Sequence, residues 1–196
     1  MTDLEKQKEI AQTVYTKLKQ VDPYAVLAGG APRDWYFGEI ANDLDFYFYS
    51  TGVTINAVEN QLTNLLGVSV KVVPYSKDAD RSNYKSMPFL RRVLECEVEG
   101  QKIQFMQLTE PNAQFKVVDA MSVSICKIWC TPTLELKPHT DFLKSVTSKS
   151  MFLSEGYNWS DKHPSKVYER FQKKFGRSTK EKVNNLLIEI ALKGLV

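Results

Sequence analysis

The stretch VLAGGAPRDWYFGEIANDLDFYFYS, residues 26–50, decides the fold expected for this chain. Apolar residues lead into two glycines, and an Asp-x-Asp motif opens a run of aromatic residues. Because alternate residues of a strand point to the same side, Asp43 and Asp45 are expected to share one face. The pattern predicts a strand at 25–28, a turn at 29–30, a helix at 31–37 and a strand at 43–49.

Composition and length indicate one globular domain with a helical annex. The chain has 196 residues, of which 43% are hydrophobic and 25% charged, ordinary values for a globular protein. It contains no run of about 18 apolar residues, so no membrane span is predicted, and its acidic N-terminus does not read as a signal peptide. Three cysteines at irregular spacing predict buried thiols in a reducing cytosol rather than disulfides or a zinc site.

The remaining sequence predicts alternating helices and strands. Polar residues 76–87 read as a loop, and residues 117–129 are apolar without a clear period. Glu99 and Gly100 indicate a hairpin turn. The predicted helices cover 4–20, 55–66 and most of the chain from 140 onward, and the predicted strands cover 68–73, 91–98, 102–108 and 134–136.

The two glycines and the two aspartates carry complementary chemistry. A glycine pair lets the backbone approach a phosphate closely, and the start of the following helix presents free N–H groups. Arg33, in the first helical turn, can form a fork with a phosphate. Asp43 and Asp45 can bind Mg²⁺ or Mn²⁺ through oxygen. Phosphate donors and metal ligands at one place suit phosphoryl or nucleotidyl transfer, in which two ions can hold the attacking and leaving oxygens.

The string GGAPRDWYFGEIANDLDF resembles the signature of the polymerase-β-like nucleotidyltransferases, in the branch of the bacterial-type tRNA CCA-adding enzymes and poly(A) polymerases. The resemblance is strong over residues 24–50 and weak but continuous to about residue 130. It implies an α/β (α+β) fold, a small mixed sheet with flanking helices of the nucleotidyltransferase type and a C-terminal helical cap. Seven residues fall at the family spacing: Gly29, Gly30, Arg33, Asp34, Gly38, Asp43 and Asp45.

The resemblance also implies roles for these residues. Asp43 and Asp45 would be catalytic metal ligands, and Gly29 and Gly30 would cradle the triphosphate of an NTP. Arg33 and Asp34 would brace the loop, with Arg33 as the better candidate for a nucleotide contact. Further along, DAMSVSICKIWC is similar to the segment that follows the third acid in this family, which makes Asp119 a candidate nucleotide or structural contact.

One position departs from the family pattern. The family has a third acid on a later strand, and the matching strand here, KIQFMQL, carries Gln104 at that place. Glutamine can orient a water molecule or a ligand, but it supplies no charge and no base. Glu95, Glu97 and Glu99 alternate along the neighbouring strand. Either one of them substitutes for the missing acid or they form a solvated face, which is the favoured interpretation.

The C-terminal part of the chain is basic. From residue 161 onward, nine Lys or Arg stand against four Asp or Glu, whereas the rest of the chain has a net charge of −2. This segment is similar to the basic helix that follows the catalytic head in the family. We predict a catalytic head at 1–136 and a basic helical segment at 137–196, whose candidate RNA or phosphate contacts are Lys166, Arg170, Lys173, Lys174 and Arg177.

Three functions remain open from the sequence. The first is transfer of a nucleoside monophosphate from an NTP to an RNA 3′ end, with tRNA as a candidate acceptor. The second is the same transfer to a protein or a small molecule, and the third is a catalytically silent regulator that binds nucleotide or RNA. We expect a minimal cytoplasmic head, of the kind found in small bacterial or phage-encoded nucleotidyltransferases, because 196 residues leave no room for the further tRNA-binding domains. Oligomeric state is not predicted.

Overall fold

The structure, a computed structural model, describes residues 1–52, 54–73, 89–148, 150–153 and 168–169. Within them the chain alternates short helices and strands. The helices are α1 (Asp3–Leu18), α2 (Gly30–Tyr36), α3 (Ile55–Leu66), α4 (Gln114–Val117) and α5 (Thr140–Ser148), with a 3₁₀ turn at Ser124–Cys126. The strands are β1 (Val26–Ala28), β2 (Asp43–Tyr49), β3 (Lys71–Val72), β4 (Leu90–Val98), β5 (Gln101–Leu108), β6 (Ile128–Cys130) and β7 (Leu136–Pro138).

The strands form one mixed sheet in the order β3-β4-β5-β2-β1-β6-β7. β2 and β5 run parallel, with Asp43 opposite Lys102 and Tyr49 opposite Leu108. The other neighbouring pairs are antiparallel. The predicted mixed sheet with flanking helices is therefore confirmed.

Local signals in the sequence set the ends of the two long helices. Thr2 and Glu5 form a reciprocal capping box at the start of α1, which satisfies two backbone donors that a helix leaves free. Thr54 accepts a hydrogen bond from the Ala57 N–H at the start of α3, and Gly67 ends that helix in the left-handed conformation. Both helices place their apolar stripes against the same face of the sheet.

Each face of the sheet has its own hydrophobic core. The first core lies under α1 and α3 and contains Tyr15, Leu44, Phe46 and Phe105. The second core lies on the opposite face and contains Tyr47, Met106, Met121 and Phe142 among its residues. Since Phe46 and Tyr47 are consecutive in β2, the alternation of the strand divides its side chains between the two cores.

Two predicted strands differ from the observed ones. In the first, nearby side chains accept hydrogen bonds from the backbone, and in the second a turn delays the start of the strand. The segment predicted as a strand at 68–73 pairs only at Lys71–Val72. Thr63 and Glu59 of α3 accept hydrogen bonds from the Val70 and Val72 N–H groups. The edge strand predicted at 134–136 begins later, as β7, because Leu134 adopts a positive φ of 60° in the turn before it.

The predicted boundary between residues 136 and 137 falls inside β7, which pairs with β6 along its length. Beyond β7, Phe142 of α5 is buried in the second core. Ser145 of α5 shares a 2.6 Å hydrogen bond with Ser124. The division into a head and a basic segment stays a prediction, since most of the predicted C-terminal segment lies outside the described residues.

The described cysteines, Cys96, Cys126 and Cys130, are buried and carry free thiols. In the described ranges, no helix has the length and apolar character needed to cross a membrane.

Candidate functional site

Asp43 and Asp45 stand at the beginning of β2, on the face of the sheet opposite the first core. The residues between and after them, Leu44 and Phe46, are fully buried in that core. Both aspartates are only partly buried. The alternation predicted from the sequence therefore holds, and the two carboxylates share one face.

The Asp45 carboxylate lies in surroundings that disfavour its charge. Burial raises its pKa well above the usual value and the charge of Asp43 raises it further, whereas Arg33 and Lys102 act in the opposite direction. Its Oδ1 atom is buried and accepts no hydrogen bond within the described part of the chain. A carboxylate in this condition gains from a bound proton or cation, so the pair has the character of a cation ligand.

The number of carboxylates fits a cation that is shared with a ligand. Among the described residues, no group of three or more His, Cys, Asp or Glu side chains is arranged to hold a metal ion. Mg²⁺ usually takes only one or two carboxylates from a protein and fills its other positions with water and substrate phosphates. Asp43 and Asp45 thus fit Mg²⁺ or Mn²⁺ held jointly with a phosphorylated ligand.

Gln104 lies directly beside Asp45, since the two residues are paired in the parallel register of β2 and β5. On the other side of β5, Glu95 of β4 is paired with Gln104. These three residues form a row across three strands. Lys102, one position along the same face, forms an ion pair with Glu95 at 2.9 Å. The position at which the sequence comparison predicted a third acid thus holds a neutral amide beside Asp45, with a lysine–glutamate pair next to it.

The glycine pair forms the turn between β1 and α2. Gly29 has φ 90° and ψ −121°, a conformation that side-chain-bearing residues rarely adopt. Its N–H donates to the Ile128 carbonyl at 2.9 Å, which ties the turn to β6. Gly30 is different: a Cβ there would meet its first neighbour, an Arg33 nitrogen, only at 3.8 Å. The folded chain itself does not require a glycine at position 30, and the missing side chain there suits the close approach of a ligand to the backbone.

Arg33 is buried and already paired within the protein. Its Nε and Nη2 atoms lie 2.8 Å and 2.7 Å from Asp34 Oδ1, and Nη1 donates to Cys126 Sγ at 3.5 Å. Its side chain is 10% exposed. Asp34 also accepts a 2.9 Å hydrogen bond at its carbonyl from the Glu39 N–H. These contacts hold the Arg33 side chain in place, whereas the bracing of the loop by the pair and a nucleotide contact by Arg33 stay predictions.

Asp119 is placed less clearly. Its side chain is 72% exposed, and its carboxylate lies 3.4 Å from His139 Nε2. Met121, two residues further on, is the residue that approaches the glycine turn, with its Cε 3.4 Å from a Cβ built on Gly29. A role of Asp119 in nucleotide binding stays a prediction. The basic candidates Lys166, Arg170, Lys173, Lys174 and Arg177 lie outside the described residues.

Two residues of this site were missed by the sequence reasoning. Cys126 was interpreted only as a buried thiol, yet it contacts Arg33, and burial raises its pKa, so it stays neutral beside the guanidinium. Lys102 was not considered. The register of two strands that are far apart in sequence brings it beside Asp43, and no local pattern carries that information.

Comparisons with known proteins give a clear result for the fold. No protein-family model and no curated protein matches this sequence. A structure of a CCA-adding enzyme in complex with ATP matches with a TM-score of 0.61 and 14% identity, over 96% of this chain and 44% of that chain. The Thermotoga maritima CCA-adding enzyme complexed with tRNA matches with a TM-score of 0.58 and 14% identity, over 94% of this chain and 42% of the other.

A third match supports the same conclusion. The Bacillus stearothermophilus CCA-adding enzyme in complex with CTP matches with a TM-score of 0.51 and 11% identity, over 86% of this chain and 38% of that chain. This chain spans less than half the length of these proteins. At such low identity the matches show the fold alone. They confirm the mixed α/β fold and the structural similarity to CCA-adding enzymes that the glycine and aspartate motif predicted.

Proposed function

We propose that this protein is a nucleotidyltransferase, which transfers a nucleoside monophosphate from an NTP to an acceptor with the help of Mg²⁺ or Mn²⁺. The observation that carries the proposal is the Asp43–Asp45 pair on β2, with the buried Asp45 Oδ1 that accepts no hydrogen bond from the described residues. The similarity of the fold to nucleotidyltransferases supports it.

Each residue of the site has a role in the proposed reaction. Asp43 and Asp45 hold a divalent cation, which when bound neutralises triphosphate oxygens and polarises the reacting phosphate. The open space at Gly30 admits the triphosphate close to the backbone. Arg33 is fixed by Asp34 and Cys126, so it keeps the glycine turn and the start of α2 in one position. Rigid positioning of this kind is the main contribution of a protein to phosphoryl transfer.

The acceptor we propose is an RNA 3′ end, with tRNA as the first candidate. Two matching proteins were solved with ATP and with CTP, and one with tRNA. The net charge of +5 in residues 161–196 favours a polyanionic partner. We also propose that the protein acts in the cytoplasm, in keeping with its free thiols.

A transfer assay tests this function. Purified protein would be incubated with Mg²⁺, each of the four α-labelled NTPs in turn, and total tRNA, and the products would be separated on a denaturing gel. We expect label on RNA from one or two of the nucleotides. The Asp45→Asn variant should lose about 10³-fold or more of the rate, because the cation loses a ligand that carries charge.

The matched control is Asp3→Asn, which removes the same charge from an exposed position in the first turn of α1. It should leave the transfer rate unchanged. Label on protein instead of RNA would keep nucleotidyl transfer and change the acceptor. Equal rates in the wild type and in Asp45→Asn would overturn the proposed site.

A second candidate function, a silent nucleotide-binding or RNA-binding regulator, is favoured by one observation. Gln104 sits beside Asp45, where the family has an acid. Binding of labelled NTP without transfer to any acceptor would favour the regulator. In that case the Gln104→Glu variant should gain transfer activity, since it restores the missing charge.

A further inference from the structure

We propose that Lys102, held in place by Glu95, limits this site to one divalent cation and itself provides the second positive charge. The inference deepens the proposed nucleotidyl transfer and rests on it. It differs from the two-metal scheme, in which two metal ions hold the attacking and leaving oxygens, because only one metal ion binds here.

Strand register places Lys102 on the face that carries the carboxylates. Lys102 is paired with Asp43, and Gln104 with Asp45, in the parallel β2–β5 ladder. Between them Ile103 points into the first core, where it is fully buried. Because side chains alternate along β5, Lys102 and Gln104 both stand on the opposite face, beside the aspartates.

The ion pair with Glu95 fixes where the lysine charge lies. Lys102 Nζ is 2.9 Å from Glu95 Oε2, and the two side chains are 50% and 39% exposed. Glu95 is the strand partner of Gln104, not of Lys102. The lysine head group therefore reaches toward β4, on the side of β5 away from β2, so it lies across β5 from the two aspartates. Its charge also acts directly on Asp45.

This arrangement opposes a second divalent cation in two ways. A second ion beside Asp45 would need another anionic ligand, and Gln104 offers only a neutral amide. Among the described residues, the other carboxylate of that row, Glu95, is engaged by Lys102. In addition, the ammonium repels a second divalent ion on this face, since charges of +2 and +1 at a separation of ~6 Å would weaken binding about tenfold even with a water-like dielectric constant. Lys102 can instead stabilise the negative charge that develops on the reacting oxygens.

The experiment is a titration of the full chain with Mn²⁺ alone, with free Mn²⁺ measured by electron paramagnetic resonance. The wild type should bind one Mn²⁺ per chain. The Lys102→Gln variant should bind it about tenfold or more tightly, since the repelling charge is gone and Glu95 is released. The Lys102→Gln/Gln104→Glu double variant should bind two Mn²⁺. Lys102→Arg keeps the charge and should resemble the wild type.

Lys6→Gln is the matched control. Lys6 is also 50% exposed and also paired with a glutamate, Glu99 at 3.9 Å. It lies on α1, which covers the other face of the sheet. This variant should leave the Mn²⁺ affinity unchanged. The melting temperature of each variant, compared with the wild type, identifies any that fails to fold, and Lys102→Met then tests the loss of the charge with a side chain of similar length.

The outcomes separate this inference from the proposed function. Two Mn²⁺ bound to the wild type, no binding at all, or an unchanged affinity in Lys102→Gln would overturn the inference. The same preparations would be assayed for transfer to RNA. Two Mn²⁺ together with transfer would leave the function standing. One Mn²⁺ with the expected effect of Lys102→Gln, but no transfer to any acceptor, would support the inference and overturn the function.

Discussion

The two faces of the β2–β5 strand pair differ in almost every physical respect. On one face Leu44, Phe46 and Phe105 are fully buried beneath α1 and α3. On the other face the same strands present Asp43, Asp45, Lys102 and Gln104, beside the Lys102–Glu95 ion pair. Along each strand alternate residues thus belong to the core or to the candidate site, with the even positions of β2 and the odd positions of β5 in the core.

This difference shows that alternate side chains of one strand can serve separate purposes, one set stabilising the fold and the other forming the candidate site. The core face gains free energy from burial. The site face holds a carboxylate with a buried oxygen that accepts no hydrogen bond from the described residues, which costs free energy. Substitutions of the core residues on the first face should therefore lower the free energy of unfolding strongly, whereas substitutions of the site residues Asp43, Asp45, Lys102 and Gln104 should change it weakly or in the opposite direction.

The largest effect is expected for Phe46→Ala on the core face. Phe46 packs edge-on against Tyr15 at 5.5 Å and stacks with Phe105 at 6.1 Å. Loss of the ring should lower the free energy of unfolding by about 3–5 kcal/mol, measured by urea denaturation. Phe115→Ala, at a phenylalanine that is largely exposed, should cost less than about 1 kcal/mol. Similar losses in the two variants would contradict the packing of Phe46 in the first core.

A smaller loss is expected for Gly29→Ala in the turn that leads from β1 into the site. The φ of 90° is unfavourable for a residue with a side chain, although the new Cβ would meet Met121 only at 3.4 Å. Backbone strain, not a clash, should lower the free energy of unfolding by about 1–3 kcal/mol. Urea denaturation measures it, and a variant as stable as the wild type would show that the turn has an alternative conformation.

Local parts of this fold are well predicted from the sequence. The strand β2 and the helix α3 were predicted with the observed bounds, Asp43–Tyr49 and Ile55–Leu66. The hairpin at Glu99 and Gly100 was also confirmed, and both residues adopt positive φ. These elements are determined by alternation, caps and turn residues, which all lie close together in the chain.

The contacts that complete the site could not be predicted because they depend on pairing over long distances in sequence. Cys126 reaches Arg33 because β1 pairs with β6, about a hundred residues later. Lys102 lies beside Asp43 because β2 and β5 are parallel. Residues 117–129 had no assignable period, since they contain a 3₁₀ turn and the start of a three-residue strand.

Asp45→Asn should raise stability by about 1 kcal/mol at neutral pH, the size of the repulsion between two like charges about 5 Å apart in a water-like dielectric. Burial and Asp43 raise the pKa of Asp45 in the folded chain. The contribution of Asp45 to the stability of the folded chain is therefore fully present below the ordinary carboxyl pKa of about 4. It is lost as pH rises through the raised pKa of the folded chain. The difference in melting temperature between variant and wild type should grow as pH rises above about 4.

A divalent cation should remove this difference. Mg²⁺ binds the ionised carboxylate, so it should raise the melting temperature of the wild type at pH 8 and leave that of Asp45→Asn unchanged. A difference between the two proteins that stays constant with pH would mean that Asp45 titrates as an ordinary exposed carboxyl.

The smallest effect on stability is expected for Gly30→Ala. Position 30 opens α2, where alanine is at least as favourable as glycine, and the added Cβ would have no neighbour closer than 3.8 Å. The free energy of unfolding should change by less than about 0.5 kcal/mol. Nucleotide affinity, measured by calorimetry with Mg²⁺ and a non-hydrolysable ATP analogue, should nevertheless fall about tenfold, because the methyl group takes the space proposed for the triphosphate.

Gly67→Ala supplies the opposite control for that variant. Gly67 ends α3 with φ 77° in the left-handed conformation, so alanine there should lower the free energy of unfolding by about 1 kcal/mol. Nucleotide affinity should not change. If Gly30→Ala kept the wild-type affinity, the glycine would have no role in ligand binding. If Gly67→Ala also lost affinity, the loss in Gly30→Ala could not be assigned to the space at position 30. A binding role for the site requires a variant that loses nucleotide affinity while its free energy of unfolding stays unchanged.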